Sequence, residues 1–526
     1  MKIAIAQLNY TIGDIDGNAS KIIDSINKAK AQRADLVIFA EQAVSGTPAF
    51  DLLRKTTFLE LCEDALVEIA SCCDGIAAIV GLPILTREGT ISAAALIQDR
   101  KVLRYVGKKY ITARREMGFL VPSKGFEYAT IKGHKCAIIV GDDLSREHDF
   151  DKSVETVISI NARKYGKGAM TYRYEMMRHL SFVEAKNLVL VNQVGGATDI
   201  VYDGTSGAFN NRGELVLMMK QFEEDFQIFD TKAQNPPVGV PSTYNDRTRM
   251  VYQAARCGLR DFFLKNGYKK ACIGLSGGID SAVVACLAAD ALGAGNVRAL
   301  LLPSQFSSDH SVEDAKKLAE NLGIEYNVIP ITEIYTSVVN TLKPVIGGRE
   351  FDATEENIQT RIRTVLLMAV QNKTDYILLN SSNKSENALG LCTLYGDTAG
   401  AFSPTGDLYK SEMYDVARYI NRTFGNVIPE NILDKEPSSE LHPGQKDSDI
   451  LPPYEVVDAI LLRMIEEGQH REEIVNAGFD SEVVEKIHCM IMRNEKKRYQ
   501  FPPVLRLSMC SFGHERLMPL TNKYGD

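Results

Sequence analysis

The run Ser276-Gly277-Gly278-Ile279-Asp280-Ser281 gathers residue types that can hold a phosphate chain. Two adjacent glycines let the main chain wrap closely, so that its N–H groups and a helix N-terminus can point at an anion. Ser276 and Ser281 add hydroxyl donors, and Asp280 is placed to hold Mg²⁺ between phosphates. The plainer alternative is a tight strand-to-helix turn with serine and aspartate as caps. An apolar strand before the run and an apolar helix after it favour the anion cradle. The other common phosphate loop, GxxxxGK[ST], is absent.

Charged residues recur downstream in short ordered blocks: TEENIQTRIR at 354–363, SNKSE at 382–386, YGD at 395–397 and GDLYK at 406–410. Within them stand the cations Arg361, Lys384 and Lys410 and the carboxylates Glu386 and Asp397. Taken alone, Lys410 or Arg361 reads as a solvated helix charge.

The elements that must position these residues fall into two halves. Short β-rich runs at 3–8, 36–40, 76–85, 136–140, 157–161 and 188–192 alternate with helical patterns such as 18–32 and 171–186. Residues 203–230 turn to hairpins, with Asn210-Asn211-Arg212-Gly213 as a turn. Residues 233–249, rich in proline and polar side chains, have neither period and form a joint. This gives a first domain at 1–235, a linker at 236–249 and a second domain at 250–526. The second domain opens with a helix over 250–266 and a buried strand over 270–275, followed by the glycine loop and a helix over 281–292. Further strands at 297–302, 326–331 and 376–381 are separated by helical sequence. Strand–helix alternation of this kind predicts a doubly wound parallel sheet with ligands at the carboxyl ends of its strands.

Composition restricts the setting. The chain has 526 residues, 45% hydrophobic and 24% charged, with a formal net charge of −8. That charge argues against a protein that grips nucleic acid by its backbone. No apolar run approaches the length of a membrane span. The ten cysteines lack a CxxC pair or regular spacing, and Cys136, Cys272 and Cys286 read as small buried hydrophobes. No signal peptide opens the sequence, so a reducing, cytoplasmic compartment is expected.

SGGxDS resembles the PP-loop of the ATP pyrophosphatases, which cleave ATP between its α- and β-phosphates and form adenylated intermediates. On that motif alone asparagine synthetase, GMP synthetase and tRNA-thiolating enzymes stay open. The 354–363, 382–397 and 406–410 blocks, with PSSEL at 437–441, LPPY at 451–454, Lys497 and Arg498, resemble NAD synthetases over nearly the whole second half. The resemblance implies ATP-dependent amidation of nicotinic acid adenine dinucleotide to NAD, with ammonia displacing AMP from an adenylate. It implies Asp280 and Glu386 as Mg²⁺ ligands, Lys410 on the ATP phosphates and Arg361 holding ATP. Ser276, Gly277, Gly278 and Ser281 would cradle pyrophosphate, and Lys384 and Asp397 complete the nucleotide-binding set. Ser382 departs from the family's usual glycine, a small change expected to be tolerated.

The first half resembles a nitrilase-type amidase, an αββα sandwich that hydrolyses glutamine in NAD synthetases. Glu41, in AEQAVSG, takes the general-base position, and Lys108, in GKKYI, the oxyanion-side cation. The nucleophilic cysteine belongs in an ICED[LI]W stretch; here Asp142, Asp143 and Leu144 fix the register and Gly141 stands in its place. Glycine offers no side chain for a thioester. Cys136, five residues earlier on an extended chain, would lie about 17 Å away and on the opposite face. Changes at Arg163-Lys164 and Ala197-Thr198 suggest a natural relic. The expectation is a synthetase with a silent glutaminase domain, fed by free ammonia or a separate glutaminase, and assembled as a homo-oligomer. The alternatives are another PP-loop ligase, or a first domain kept as a ligand-binding module.

Overall fold

The computed structural model describes residues 1–146, 149–233, 235–244 and 246–523. Of the polar stretch 233–249, Gln234 and Asn245 therefore lie outside the described residues. The chain divides into two compact units, Met1–Asn245 and Asp246–Asp526.

In the first unit, strands buried on both faces account for the apolar runs. Along Lys2–Gln7, Ala4 and Ala6 enter one core while Ile3 and Ile5 enter another. That two-residue alternation recurs in Ala77–Leu85. A six-stranded sheet orders Asp225–Asp230, Lys2–Gln7, Leu36–Ile38, Ala77–Leu85, Thr90–Gln98 and Lys101–Gly107. Helices Ile15–Ala31 and Thr56–Ser71 cover its outer face, where Ile22, Ile26, Leu66 and Ile69 pack on Val37 and Val80. The first helix starts at Ile15 rather than 18, because the Asp14 carboxylate caps it by accepting from Gly17 N at 3.1 Å.

A second six-stranded sheet orders Leu215–Met218, Gly207–Phe209, Asn187–Asn192, Thr156–Asn161, His134–Val140 and Glu127–Ile131. Its inner face, with Ile138, Ile158 and Val189, meets Ile5, Ile38 and Ile79 of the first sheet. The outer face lies under helix Ala169–Glu184 through Ile139, Leu190, Tyr174 and Met177. The result is an αββα sandwich. Thr90–Gln98 and Lys101–Gly107 were absent from the sequence expectation: one is alanine-rich, and the other is an edge strand whose charges blur the period.

The second unit carries a four-stranded parallel sheet ordered Glu325–Val328, Val297–Leu301, Lys270–Gly274, Tyr376–Leu378. The chain steps outward from Lys270–Gly274 through two neighbours, then returns to its other side with Tyr376–Leu378. That reversal makes a switch point beyond the carboxyl ends of these two strands, a doubly wound α/β feature that opens a ligand crevice. Helix Ile279–Leu292 leaves the first of the two strands, and helix Ala353–Lys373 packs Leu367 and Met368 on Cys272 and Leu378. A helical cluster built on Val457, Leu461, Ile487 and Ile491 holds Ala388 and Leu389.

Candidate active sites

At the switch point the loop 276–281 folds on its own hydroxyls. Gly278 N donates to Ser276 Oγ at 3.1 Å, and Ser281 Oγ donates to the Gly278 carbonyl at 3.1 Å. Gly277 has φ +80°, and a Cβ there would lie 2.2 Å from the Ser311 carbonyl oxygen, so only glycine fits. The loop lines a cavity of about 620 Å³.

Lys410 opens helix Lys410–Phe424 and points its ammonium into this cavity, 2.6 Å from Asp280 Oδ2 and 3.0 Å from Glu386 Oε1. Asn383 ties the pair together: its Nδ2 donates to Asp280 Oδ1 at 3.0 Å while its Oδ1 caps the helix of Glu386, accepting from Glu386 N at 2.9 Å. Burial alone would lower the Lys410 pKa, but Asp280 and Glu386 overcome it and hold the ammonium well above its ordinary value. Burial pushes the Glu386 carboxyl up to about 7 against the pull of Lys410, with Asp280 adding to the rise.

The cavity thus gathers Ser276, Gly278, Asp280, Ser281, Glu386, Asp397 and Lys410. Asp397 accepts from Thr393 N at 2.7 Å, and its surroundings push it up to about 6, chiefly by desolvation. Two expected members sit elsewhere. Lys384 is fully buried, its Nζ held by Glu466 at 2.8 Å, Ser508 Oγ at 2.8 Å, the Cys510 carbonyl at 3.0 Å and Asp407 at 3.1 Å. It therefore braces the fold away from the cavity, since residues 384 and 386 lie about 200° apart on a helix. Arg361 is exposed, with Nε on the Leu394 carbonyl at 3.2 Å; Arg363, two residues on, lines the cavity instead. Lys497 likewise gives its ammonium to the Gly390 and Cys392 carbonyls, and Arg498 gives its guanidinium to the carbonyls of Asn387, Ala388 and Ile491 and to the Glu495 carboxylate. Ser382 turns its hydroxyl onto Asn380 Oδ1 at 2.5 Å, which accounts for its being accommodated.

In the first unit, Glu41, Lys108 and Gly141 meet in the interior. Lys108 Nζ lies 3.2 Å from Glu41 Oε1, 2.8 Å from Glu116 Oε2 and 3.8 Å from Asp142 Oδ2. Ser92 Oγ donates to Glu41 Oε1 at 2.8 Å. Glu116 and Ser92 carry no motif spacing that marks them as members of this cluster, whereas Asp142 belongs to the stretch that fixes the register of Gly141. Burial opposes the charge on Lys108, but Glu41, Glu116 and Asp142 raise its pKa overall. Gly141 has φ +59°, and a Cβ built on it would lie 2.6 Å from Glu41 Oε2 and 2.8 Å from Lys108 Cε and Nζ. Arg163 approaches the same cluster, 3.8 Å from Asp142 Oδ1.

The strand before Gly141 ends at Val140, and Gly141 opens a short 3₁₀ turn, so the odd-offset argument about Cys136 does not apply. Cys136 is instead set apart by lying in the core between the two sheets, where burial pushes its thiol up to about 12. It is no nucleophile at neutral pH.

An anion loop at a sheet's switch point, faced by a lysine and two carboxylates, defines a nucleotide-site α/β protein of the Rossmann-like class. A family model for NAD synthase matches residues 251–501. The glutamine-dependent NAD(+) synthetase of Acinetobacter baylyi is 37% identical over 535 aligned residues, 99% of this chain and 98% of the relative. The solved glutamine-dependent NAD+ synthetase from Acinetobacter baumannii, in complex with ADP, is 34% identical, with a TM-score of 0.76 over 99% of this chain and 98% of its own. That from Cytophaga hutchinsonii shares the fold at 20% identity, with a TM-score of 0.87 over 99% and 98% of the two chains. The chain belongs to the glutamine-dependent NAD synthetase family.

Proposed function

We propose that residues 250–526 amidate nicotinic acid adenine dinucleotide to NAD with ATP, using free ammonia because the domain at 1–235 has lost its nucleophile. Convergence of Lys410, Asp280 and Glu386 on the 276–281 loop carries the synthetase half of this reading. That the A. baumannii relative was solved in complex with ADP supports an adenine nucleotide as a ligand of this chain.

The substrate carboxylate oxygen attacks the α-phosphorus, the bond to the β-phosphate oxygen breaks, and pyrophosphate leaves. Ammonia then adds to the carbonyl carbon of the adenylate, the added nitrogen gives up one proton to solvent, and AMP departs with the bonding electrons. Ser276, Ser281 and the loop N–H groups bind the departing pyrophosphate. Lys410 neutralises charge on the phosphate oxygens. The hard oxygen donors of Asp280 and Glu386, held in place by Asn383, suit Mg²⁺. When bound, that ion supplies charge neutralisation between phosphates.

For the first domain, the observation that matters is the direction of the missing side chain. A Cβ at Gly141 would sit between Glu41 and Lys108, the two groups that would serve a thiol as base and cation. We therefore assign Gly141 to the nucleophile position, with Glu41 and Lys108 as relic amidase positions. The relatives are named for glutamine dependence; this chain departs from that chemistry at Gly141. Ammonia reaches the synthetase free or from a separate glutaminase. NAD, AMP and pyrophosphate formed in equal amounts from the dinucleotide, ATP, Mg²⁺ and ammonium chloride would support the reaction. An ammonium-dependent ATP cleavage that yields ADP and phosphate would refute it.

A further inference from the structure

Lys435 stands out among the cations of the synthetase cavity. It follows helix Glu430–Asp434 and begins the segment, with Glu440 and Asp447, that lines one wall. Its Nζ donates to Ser311 Oγ at 3.0 Å, and that hydroxyl donates in turn to Glu440 Oε1 at 2.7 Å. Among the described residues its ammonium forms no carboxylate pair, whereas Lys410 forms two. Burial pulls its pKa down, and the more distant Glu440 and Asp314 offset this only in part.

Ser311 is the residue that abuts the anion loop, its carbonyl occupying the space a Cβ on Gly277 would need. The Lys435 ammonium thus rests on the same residue, Ser311, whose carbonyl abuts the pyrophosphate cradle. Glu440, which could have neutralised it, is engaged with Ser308 N at 3.1 Å, Ser308 Oγ at 2.8 Å and Ser311 Oγ. A half-buried cation held by one neutral hydroxyl gains most from an arriving anion.

We propose that Lys435 is a phosphate-contacting residue of the synthetase cavity, exchanging its Ser311 hydroxyl for an oxygen of the pyrophosphate portion of ATP. This rests on the reading of the cavity as the ATP site. Lys410 meets the phosphates from the Asp280 and Glu386 side, and Lys435 meets them from the Ser311 side. A charge-assisted hydrogen bond of this kind is worth roughly ten- to a hundredfold in affinity.

The test is calorimetric binding of magnesium pyrophosphate, and separately of AMP, to the full-length chain. Lys435→Met should weaken pyrophosphate binding roughly ten- to a hundredfold and leave AMP within about threefold. Lys435→Arg should recover most of the loss. Ser311→Ala, which removes the resting partner, should retain pyrophosphate affinity. If Lys435→Met binds pyrophosphate like the wild type, the inference falls. It falls equally if Lys435→Met and Ser311→Ala lose affinity alike, because that marks a role in holding the wall. A wild-type chain that binds no pyrophosphate overturns the ATP-site reading itself. Lys435→Gln substitutes for the methionine variant if that one does not fold.

Discussion

Placing a cysteine at position 141 tests the proposal that Gly141 stands at the nucleophile position of the first unit. Gly141 sits at φ +59°, a left-handed conformation that costs a residue with a Cβ about 1 kcal/mol. The new Cβ would start 2.6 Å from Glu41 Oε2 and 2.8 Å from Lys108 Nζ. Both groups must retreat by several tenths of an ångström, and both are buried in one ion cluster with Glu116. Overpacking of this kind adds about 1–3 kcal/mol. Gly141→Cys should therefore destabilise the first unit by about 2–4 kcal/mol, a fall in Tm of roughly 5–15 °C for a unit this size. Gly141→Ala should cost nearly as much, since the clash lies at Cβ. The thiol would also arrive among side chains packed for its absence, so glutamine hydrolysis should stay at background. Thermal melting and ammonia release from glutamine, on purified full-length variants, measure the two halves of this expectation. A cysteine variant as stable as the wild type that hydrolyses glutamine would refute the reasoning, and would show that Glu41 and Lys108 have kept a working pocket.

Lys410→Met should lower NAD formation at least a hundredfold, because it removes the cation proposed to face the phosphates and leaves Asp280 and Glu386 without their ammonium partner; steady-state rates with ammonium measure it. Gly277→Ala places a methyl 2.2 Å from the Ser311 carbonyl at φ +80°, so ATP binding should be lost along with about 2–4 kcal/mol of stability, read by calorimetry and melting. Glu386 gives a pH signature. Its folded pKa, about 7, lies above the ordinary 4.5, so its stabilising effect is complete below about 4.5 and is lost as pH rises through 7. The ligand-free chain should therefore lose stability between about pH 4.5 and 7, less steeply in Glu386→Gln, while Mg²⁺ affinity rises over the same range; paired melts and metal titrations check both.

The anion loop was legible because its chemistry is local: strand, two glycines, hydroxyls and helix follow one another in sequence, although the Ser311 carbonyl that excludes a side chain at Gly277 comes from outside that turn. The charged blocks were harder. SNKSE shows which residues travel together but not which way each points; on the short helix Lys384–Leu389, Glu386 lines the cavity while Lys384 goes to Glu466 and Asp407. The same half-turn separates Arg361 from Arg363. Glu116 escaped notice because what marks it is a position in space, 2.8 Å from Lys108, with no local pattern around it. Cys136 shows the limit of period-two reasoning, which fails once the strand ends at Val140. Strands buried on both faces, such as Lys2–Gln7 and Thr156–Asn161, announced themselves as apolar runs, whereas the edge strand Lys101–Gly107 did not.

If the first domain is silent, the amide nitrogen of the product comes from free ammonia. The direct measurement supplies nicotinic acid adenine dinucleotide, ATP and Mg²⁺ with equal concentrations of unlabelled ammonium and glutamine labelled with ¹⁵N at its amide, and reads the NAD by mass spectrometry. The prediction is NAD carrying only unlabelled amide nitrogen, with the glutamine recovered intact. Label in the NAD would contradict the account and require a nucleophile other than residue 141.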